Sequence, residues 1–510
     1  MPFILLLGTV LRLYRLGNTS LWFDEAMDLV ARPTSCPLFF KNPPLYCIFS
    51  YFWGNVAHGE FILRMPSVIF NLISVLFIYY FTKQIFNKKT GLISAFLLSI
   101  SPFHIHYSQE FRMYSLLAML SLVSVYFLKL CLNKGGNKFW FEYIILNIMA
   151  INVHHFALLI LFAENILFLI YWNKYKTLRM KWIVTNLIII VFLFFFDIKS
   201  MIGIIKNYLG WWIPQVSWQS ILITFKNFSI GYNATPLVYF SACILYFPLF
   251  LWGIYTARKD KENVLLLCLC LFVPIVAVIL ISIIFRPFYV DRFFITSSLF
   301  YLILVAKGIA ELRWRYSSML VLFLITMLTF FALNNYYIDY LPNSSLHHLG
   351  VQAKSDTRSV VKYIVENFGE GDIICHADEN TVPQIYYYLS PQYKNISKSN
   401  EAYIQAKEGM VVKLNELSNE IELWTFCVKE GFIFKKAELS LEGNERVWFI
   451  SCKPVGDIKD LLDRLRQHYV IINIGKTLKG IKNINFLKLE RKGFNGIGFY
   501  KANDKKDIPD

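Results

Sequence analysis

The strongest constraint on this chain is a succession of apolar runs that a water-soluble fold has no room to bury. A helix needs about 17–25 mostly apolar residues to cross a bilayer, where its backbone must satisfy its own hydrogen bonds. Runs of this kind, or slightly shorter, lie at roughly 64–82, 91–103, 112–132, 141–153, 156–172, 182–200, 236–256, 263–285, 293–310 and 317–338. The stretch 3–16 is shorter still. It lacks the basic n-region and small-residue cleavage site of a signal peptide, and it is counted as a short first span, with the completeness of the N-terminus left open. About eleven spans are expected. With 56% hydrophobic and 17% charged residues, against about 25% charged in a typical soluble domain, the composition excludes a soluble globule, a disordered chain and a disulfide-rich scaffold.

Charge is unevenly placed. Residues 1–340 hold 13 Asp/Glu and 27 Lys/Arg, and the remaining residues hold 22 and 24. An apolar body at 1–340 and a nearly balanced domain at 341–510 are expected. Connecting loops alternate in charge: Lys83, Lys88 and Lys89, then Lys134 and Lys138, then Lys174 to Lys181, then Arg258 to Lys261, then Arg313 and Arg315. The positive-inside rule puts these in the cytoplasm. The loops at 17–62, 103–111, 152–156, 201–235 and 286–292, with the tail, then face outside a plasma (inner) membrane. The net charge of +16 is therefore a topology signal, and no separate basic stripe supports nucleic-acid binding. In the tail, helical spacing at Asp356–Phe368, Thr381–Leu389 and Ile458–His468 alternates with strand-like runs at Asp372–His376, Ile421–Val428, Arg446–Cys452 and Gly496–Lys501. That alternation predicts a small α/β domain. Nine cysteines show no CxxC, and a disulfide among the outer ones, Cys36, Cys47, Cys375, Cys427 and Cys452, is left open.

With so few carboxylates in the membrane part, each can be weighed. Asp24, Glu25 and Asp28 share one stretch, LWFDEAMD, just outside the first span. Taken alone they favour a wet loop that caps the following helix, with Asp24 near the N-cap, over a reaction centre. Three further segments bear on the choice. Lys41–Trp53 (KNPPLYCIFSYFW) reads as an interfacial helix started by two prolines. It anchors in the membrane, and it would roof a groove beside the acid pair with Lys41 as a phosphate contact. Ser101–Leu116 places His104, His106, Tyr107, Gln109, Glu110, Arg112 and Tyr114 at the outer end of two spans. Ionisable groups at that depth are costly and mark function by default; an internal Glu110–Arg112 pair bracing a turn is the structural alternative. RPFYVDR at Arg286–Arg292 holds two external arginines. They suit either headgroup snorkelling or forked contacts to phosphate, and Asp291 is expected to pair with one of them. His154 and His155 fit an interface better than a metal, since no ligand spacing accompanies them. An acid pair, an aromatic groove and cations on one face suit transfer from a lipid phosphate: the carboxylate takes the acceptor proton and the cations stabilise the departing phosphate.

The segments LRLYRLGNTSLWFDEA, NPPLYCIFSYFW, RMPSVIF, HYSQEFRMYSL and RPFYVDRFF together resemble the GT-C-fold glycosyltransferases that use polyprenyl-phosphate sugars. The nearest relatives are the protein O-mannosyltransferases and the bacterial aminoarabinose and lipopolysaccharide-core transferases, and the resemblance covers roughly residues 10–310. It implies a polytopic helical membrane protein with an extracytoplasmic C-terminal domain. It maps the catalytic acid onto Asp24, with Glu25 beside it as an electrostatic or metal-assisting partner. Lys41, Arg112, Arg286 and Arg292 are expected at the donor phosphate. Asn42, Pro43, Tyr46, His106, Tyr107, Gln109, Glu110 and Tyr114 are expected to line the site. Asn42 stands where relatives often carry His. Some members use a divalent metal such as Mg or Mn, and beyond Asp24, Glu25 and Glu110 no ligand set stands out here.

The function expected is an inverting, mannosyltransferase-like transfer of a hexose or pentose from a polyprenyl-phosphate donor to an extracytoplasmic protein, lipid or glycan. The alternative is a transporter or flippase for a lipid-linked sugar, which would place polar groups at the midplane of broken helices; here Glu164 and Asp197 are the deepest acids. A third reading makes the tail the working part and the spans its anchor.

Overall fold

The computed structural model describes residues 1–30, 44–196, 213–342, 351 and 354–367, then the segments 373–376, 381–389, 410–414, 421–427, 433–436, 446–451, 469–473 and 485–491. The chain divides into two compact units, Met1–Lys354 and Ser355–Asp510.

The first unit is helical. It begins with α1 (Pro2–Leu13), α2 (Phe23–Val30) and α3 (Pro44–Val56). It continues with α4 (Glu60–Ile85), α5 (Lys88–Ile100), α6 (Pro102–Ser108), α7 (Tyr114–Lys134), α8 (Asn137–Val153) and α9 (Ala157–Ile170). Then follow α10 (Arg179–Phe196), α11 (Trp218–Ile230), α12 (Pro236–Ala257), α13 (Lys261–Ile284), α14 (Ile295–Ala310) and α15 (Arg315–Tyr337). A helix stands at each apolar run, but among the described residues only seven helical segments, Glu60–Ile85, Tyr114–Lys134, Lys176–Phe196, Pro236–Ala257, Lys261–Ile284, Asp291–Ala310 and Tyr316–Tyr337, are long and apolar enough to cross a membrane by themselves. Helices such as α1, α8 and α9 are shorter than the roughly 20 residues of a full span.

Punctuation in the sequence sets these ends. Asn87 caps α5 by accepting from the Thr90 amide. Ser101 accepts from the His104 amide and Pro102 opens α6, so the chain stops one helix and starts another at that point. Gly135, at φ 67°, closes α7 in the left-handed region. Where α12 crosses α14, a Cβ on Gly253 would sit 1.9 Å from the Leu304 carbonyl oxygen, and one on Gly308 2.0 Å from that of Leu249. Two facing glycines let the backbones touch, a packing device common between membrane helices.

The basic loops meet at one end of the bundle. Lys129 and Lys174 both pair with Glu262, Lys89 donates to the Ala310 carbonyl, and Lys181 donates to the Gly135 carbonyl. The segments bearing the acid cluster lie at the opposite ends of α4, α7 and α14, near Glu60, Tyr114 and Ile295.

In the second unit the described elements are α16 (Thr357–Asn367), α17 (Val382–Leu389) and seven strands. These are β1 (Ile373–His376), β2 (Met410–Leu414), β3 (Ile421–Cys427), β4 (Ile433–Lys436), β5 (Arg446–Ser451), β6 (Tyr469–Asn473) and β7 (Asn485–Arg491). They form one sheet in the order β4-β3-β2-β1-β5-β7-β6, with β1 parallel to β2 and β5 and the other pairs antiparallel. The expected helix at 458–468 and strand at 496–501 lie outside the described residues.

Candidate active site

Two buried arginines lock the segments that carry the acids. Arg12 of α1 donates through Nε and Nη2 to Asn71 Oδ1 of α4 at 2.9 and 2.7 Å. Its Nη1 reaches the carbonyls of Gly8 and Ser99, and Nη2 reaches that of Leu98. Gln109 then donates to the Arg12 and Tyr14 carbonyls at 2.8 and 2.9 Å, tying the α6–α7 connection to the end of α1.

Arg64 of α4 does the same for α2. Its Nε and Nη2 grip the two Glu25 oxygens at 2.9 and 2.8 Å, and its remaining donors reach Leu16, Thr19 and Ser20. Glu25 also accepts from the Phe111 amide at 2.7 Å and the Trp22 amide at 3.2 Å. The second contact is the acidic half of a capping box, three residues into the helix. Burial alone would raise the Glu25 pKa, but the Arg64 charge and hydrogen bonds outweigh it and hold it below the ordinary carboxylate value. Both Glu25 oxygens are engaged by these partners, and the residue braces α2 against α4 and the Phe111 segment.

Asp24, one residue earlier, faces the other way. Its Oδ2 lies 3.4 Å from Arg292 Nη1 and 3.8 Å from Arg112 Nη2. Asp28, one turn on, takes Arg112 Nη1 at 2.6 Å, and the same nitrogen donates to the Asp24 carbonyl at 3.2 Å. Arg112 Nε is buried without a hydrogen-bond partner among the described residues. Asp24 and Asp28 are 20% and 22% exposed, against 0% for both Glu25 and Arg64, so this second centre opens outward. Aromatic rings surround it. Arg292 lies 5.9 Å from the Trp22 and Phe293 ring centres, and Arg112 lies 6.0 Å from that of Tyr114. Phe293 continues into a cluster with Phe156 at 4.6 Å, Phe288 at 5.5 Å and His154 at 5.6 Å. Guanidinium on aromatic faces beside an apolar wall suits a charged head on a hydrocarbon tail.

The other predicted lining residues converge nearby. Glu110 does not pair with Arg112, as the bracing alternative had it. Its Oε1 meets His106 Nε2 at 3.2 Å and Lys354 Nζ at 3.8 Å. Burial would raise the Glu110 pKa, yet His106, then Lys354 and Arg292, pull it down to about 2. Tyr107 and Tyr232 share a hydroxyl contact at 2.7 Å, and Tyr46 donates to the Phe111 carbonyl at 3.1 Å. Tyr114 is buried at the start of α7. Asp291 pairs with neither arginine of its loop. It accepts from Thr224 at 2.8 Å and Asn227 at 2.6 Å on α11, which leaves Arg292 to Asp24. Arg286 is exposed just beyond α13, unlike the buried Arg292. Lys41, Asn42 and Pro43 lie outside the described residues, as does Asp197. Glu164, the other deep acid, accepts from the Tyr143 hydroxyl at 2.6 Å inside the bundle. Cys131, Cys243, Cys268 and Cys270 form no disulfide.

Arg64 and Lys354 were not singled out from the sequence. A lone arginine in the first turn of a long apolar helix was the available signal for Arg64; Lys354 sits in a stretch with no pattern to read. Among the described residues no group of three or more His, Cys, Asp or Glu gathers to hold a metal ion.

Residues 41–197 match the family model described as dolichyl-phosphate-mannose-protein mannosyltransferase. No curated protein sequence matches the chain significantly. The crystal structure of ArnT from Cupriavidus metallidurans bound to undecaprenyl phosphate is similar with a TM-score of 0.53, over 96% of this chain and 97% of that chain, at 8% identity. The apo state of ArnT from the same organism gives 0.51, over 81% and 93%, at 10% identity. The chain shares the GT-C fold of these structures, and its residues 41–197 resemble the dolichyl-phosphate-mannose-protein mannosyltransferase family.

Proposed function

We propose that the protein is a membrane glycosyltransferase that moves one sugar from a polyprenyl-phosphate donor to an acceptor hydroxyl outside the cytoplasm, with inversion. The observation that carries this reading is the Asp24 carboxylate held between two arginines, 3.4 Å from Arg292 and 3.8 Å from Arg112, in an outward-opening site walled by aromatics. Asp24 accepts the acceptor proton as its oxygen attacks the anomeric carbon. The bond from that carbon to the phosphate oxygen breaks on the opposite face, and the polyprenyl phosphate leaves with its charge stabilised by Arg112 and Arg292. One base and one displacement invert the centre.

The family description names a dolichyl-phosphate-mannose donor and the ArnT structure holds undecaprenyl phosphate, which supports a lipid phosphate as the carrier. The basic loops lie at the ends opposite the acid cluster, which supports an extracytoplasmic site in the plasma membrane. The second unit, by the same topology, is extracytoplasmic and serves the acceptor.

The test is mass spectrometry of envelope glycans and glycoproteins from a deletion strain complemented with the natural protein or with Asp24→Asn. The sugar missing in the deletion should return with the natural protein and stay absent with Asp24→Asn at equal membrane abundance. Full restoration by Asp24→Asn would remove Asp24 from the reaction and the proposal with it.

A further inference from the structure

The reaction centre contains a carboxylate for which that proposal has no task. Asp28 lies four residues after Asp24 on α2, so both side chains stand on one face of the helix. Arg112 faces both, but not equally: its Nη1 meets Asp28 at 2.6 Å, while its Nη2 stops 3.8 Å from Asp24, beyond hydrogen-bond reach. The alternative arrangement is visible one residue away. Arg64 closes on Glu25 through two bonds of 2.9 and 2.8 Å, and that carboxylate has nothing left for chemistry. An arginine beside a lone carboxylate tends to this forked geometry. Asp24 escapes it because Arg112 is claimed first by Asp28 and by the Asp24 carbonyl.

We propose that Asp28 is a positioning residue that holds the Arg112 guanidinium off the Asp24 carboxylate. It keeps a lone pair of Asp24 open for a proton and turns the rest of Arg112 toward a phosphate. This rests on the glycosyltransferase reading for its purpose, but the hold itself is a matter of geometry. Asp24 is faced by Arg292, Arg112 and the Tyr114 ring, with Asp28 and Glu25 on its own helix. Among the described residues, removing Asp28 therefore removes one negative charge from a group that includes Asp24, Arg112 and Arg292. Arg112 is then drawn to the remaining acid, and the site becomes more positive.

The expected signature separates rate from affinity. In Asp28→Ala, sugar transfer in membranes of the complemented deletion strain should fall about ten- to a hundred-fold, the range for a disabled general base. Affinity of the purified variant in nanodiscs for undecaprenyl phosphate should hold or tighten by a few-fold, since the phosphate meets more positive charge. Asp28→Glu should recover most of the rate. A cryo-EM structure of Asp28→Ala should show Arg112 within about 3 Å of an Asp24 oxygen. Arg112 unmoved in that structure, transfer at the natural rate, or binding lost in parallel with transfer would each overturn the proposal. Failure of the underlying reading looks different. The natural protein would then bind no undecaprenyl phosphate and restore no sugar, while the cryo-EM comparison would still decide whether Asp28 holds Arg112.

Discussion

Glu25 with Arg64 and Asp24 with Arg112 and Arg292 are adjacent carboxylate–guanidinium centres on one short helix, and they differ in how completely they are satisfied. In the first, both carboxylate oxygens and donors on every guanidinium nitrogen are engaged within 3.2 Å, and neither side chain reaches solvent. In the second, the contacts to Asp24 are 3.4 and 3.8 Å, Arg112 Nε has no hydrogen-bond partner among the described residues, and the acids are partly exposed. A saturated ion pair has spent its capacity on the fold. An unsaturated one retains lone pairs and donors for a substrate, at the cost of local stability.

The comparison can be broken most severely at Arg64. Arg64→Met strands the buried Glu25 charge, and losing one partner of a buried pair costs about 3–5 kcal/mol. Thermal melting in detergent should show a large drop in midpoint, with little folded protein recovered from membranes. A midpoint within a few degrees of the natural protein would show that the brace is dispensable. Arg292→Lys should separate the two centres more finely. It keeps the charge and loses the fork, so the midpoint should hold while affinity for undecaprenyl phosphate falls about ten-fold, or about 1.4 kcal/mol. Unchanged affinity would place the phosphate elsewhere.

A third effect, read as a function of pH, is expected from protonation. Glu110 has its pKa lowered from 4.5 to about 2. A depressed carboxylate pKa gives stability that is present above the unfolded value and lost as pH falls toward the folded one. The melting midpoint of the natural protein should therefore exceed that of Glu110→Gln at pH 6, and the gap should narrow between about pH 4.5 and pH 2. A gap independent of pH would assign the difference to packing rather than to the Glu110 charge.

Much of the architecture was readable because apolar runs and loop charges are local signals. Helices stand at the apolar runs, and Pro44 opens a helix, Pro44–Val56. The number of full spans was not readable, since α8 and α9 are short in a way that hydropathy averages over. The site was legible as a list and not as a wiring diagram. Asp24 and Glu25 look alike in sequence, and what separates them is Arg64, 39 residues away from Glu25. Asp291 was expected to tie up an arginine; it is held instead by Thr224 and Asn227, on a helix inside what read as an outer loop. Partners this distant leave no periodicity to detect.

The position of Lys354 bears on how the chain can be cut. Its ammonium faces Glu110 at 3.8 Å, yet it is the last residue of the first unit, beyond the point where the apolar pattern ends. A truncation at residue 340, the boundary that hydropathy suggests, would delete the cation that faces Glu110 along with the tail. Activity lost on that cut would say nothing about the tail's own contribution. A protease site or stop codon placed after Lys354 would divide the two questions.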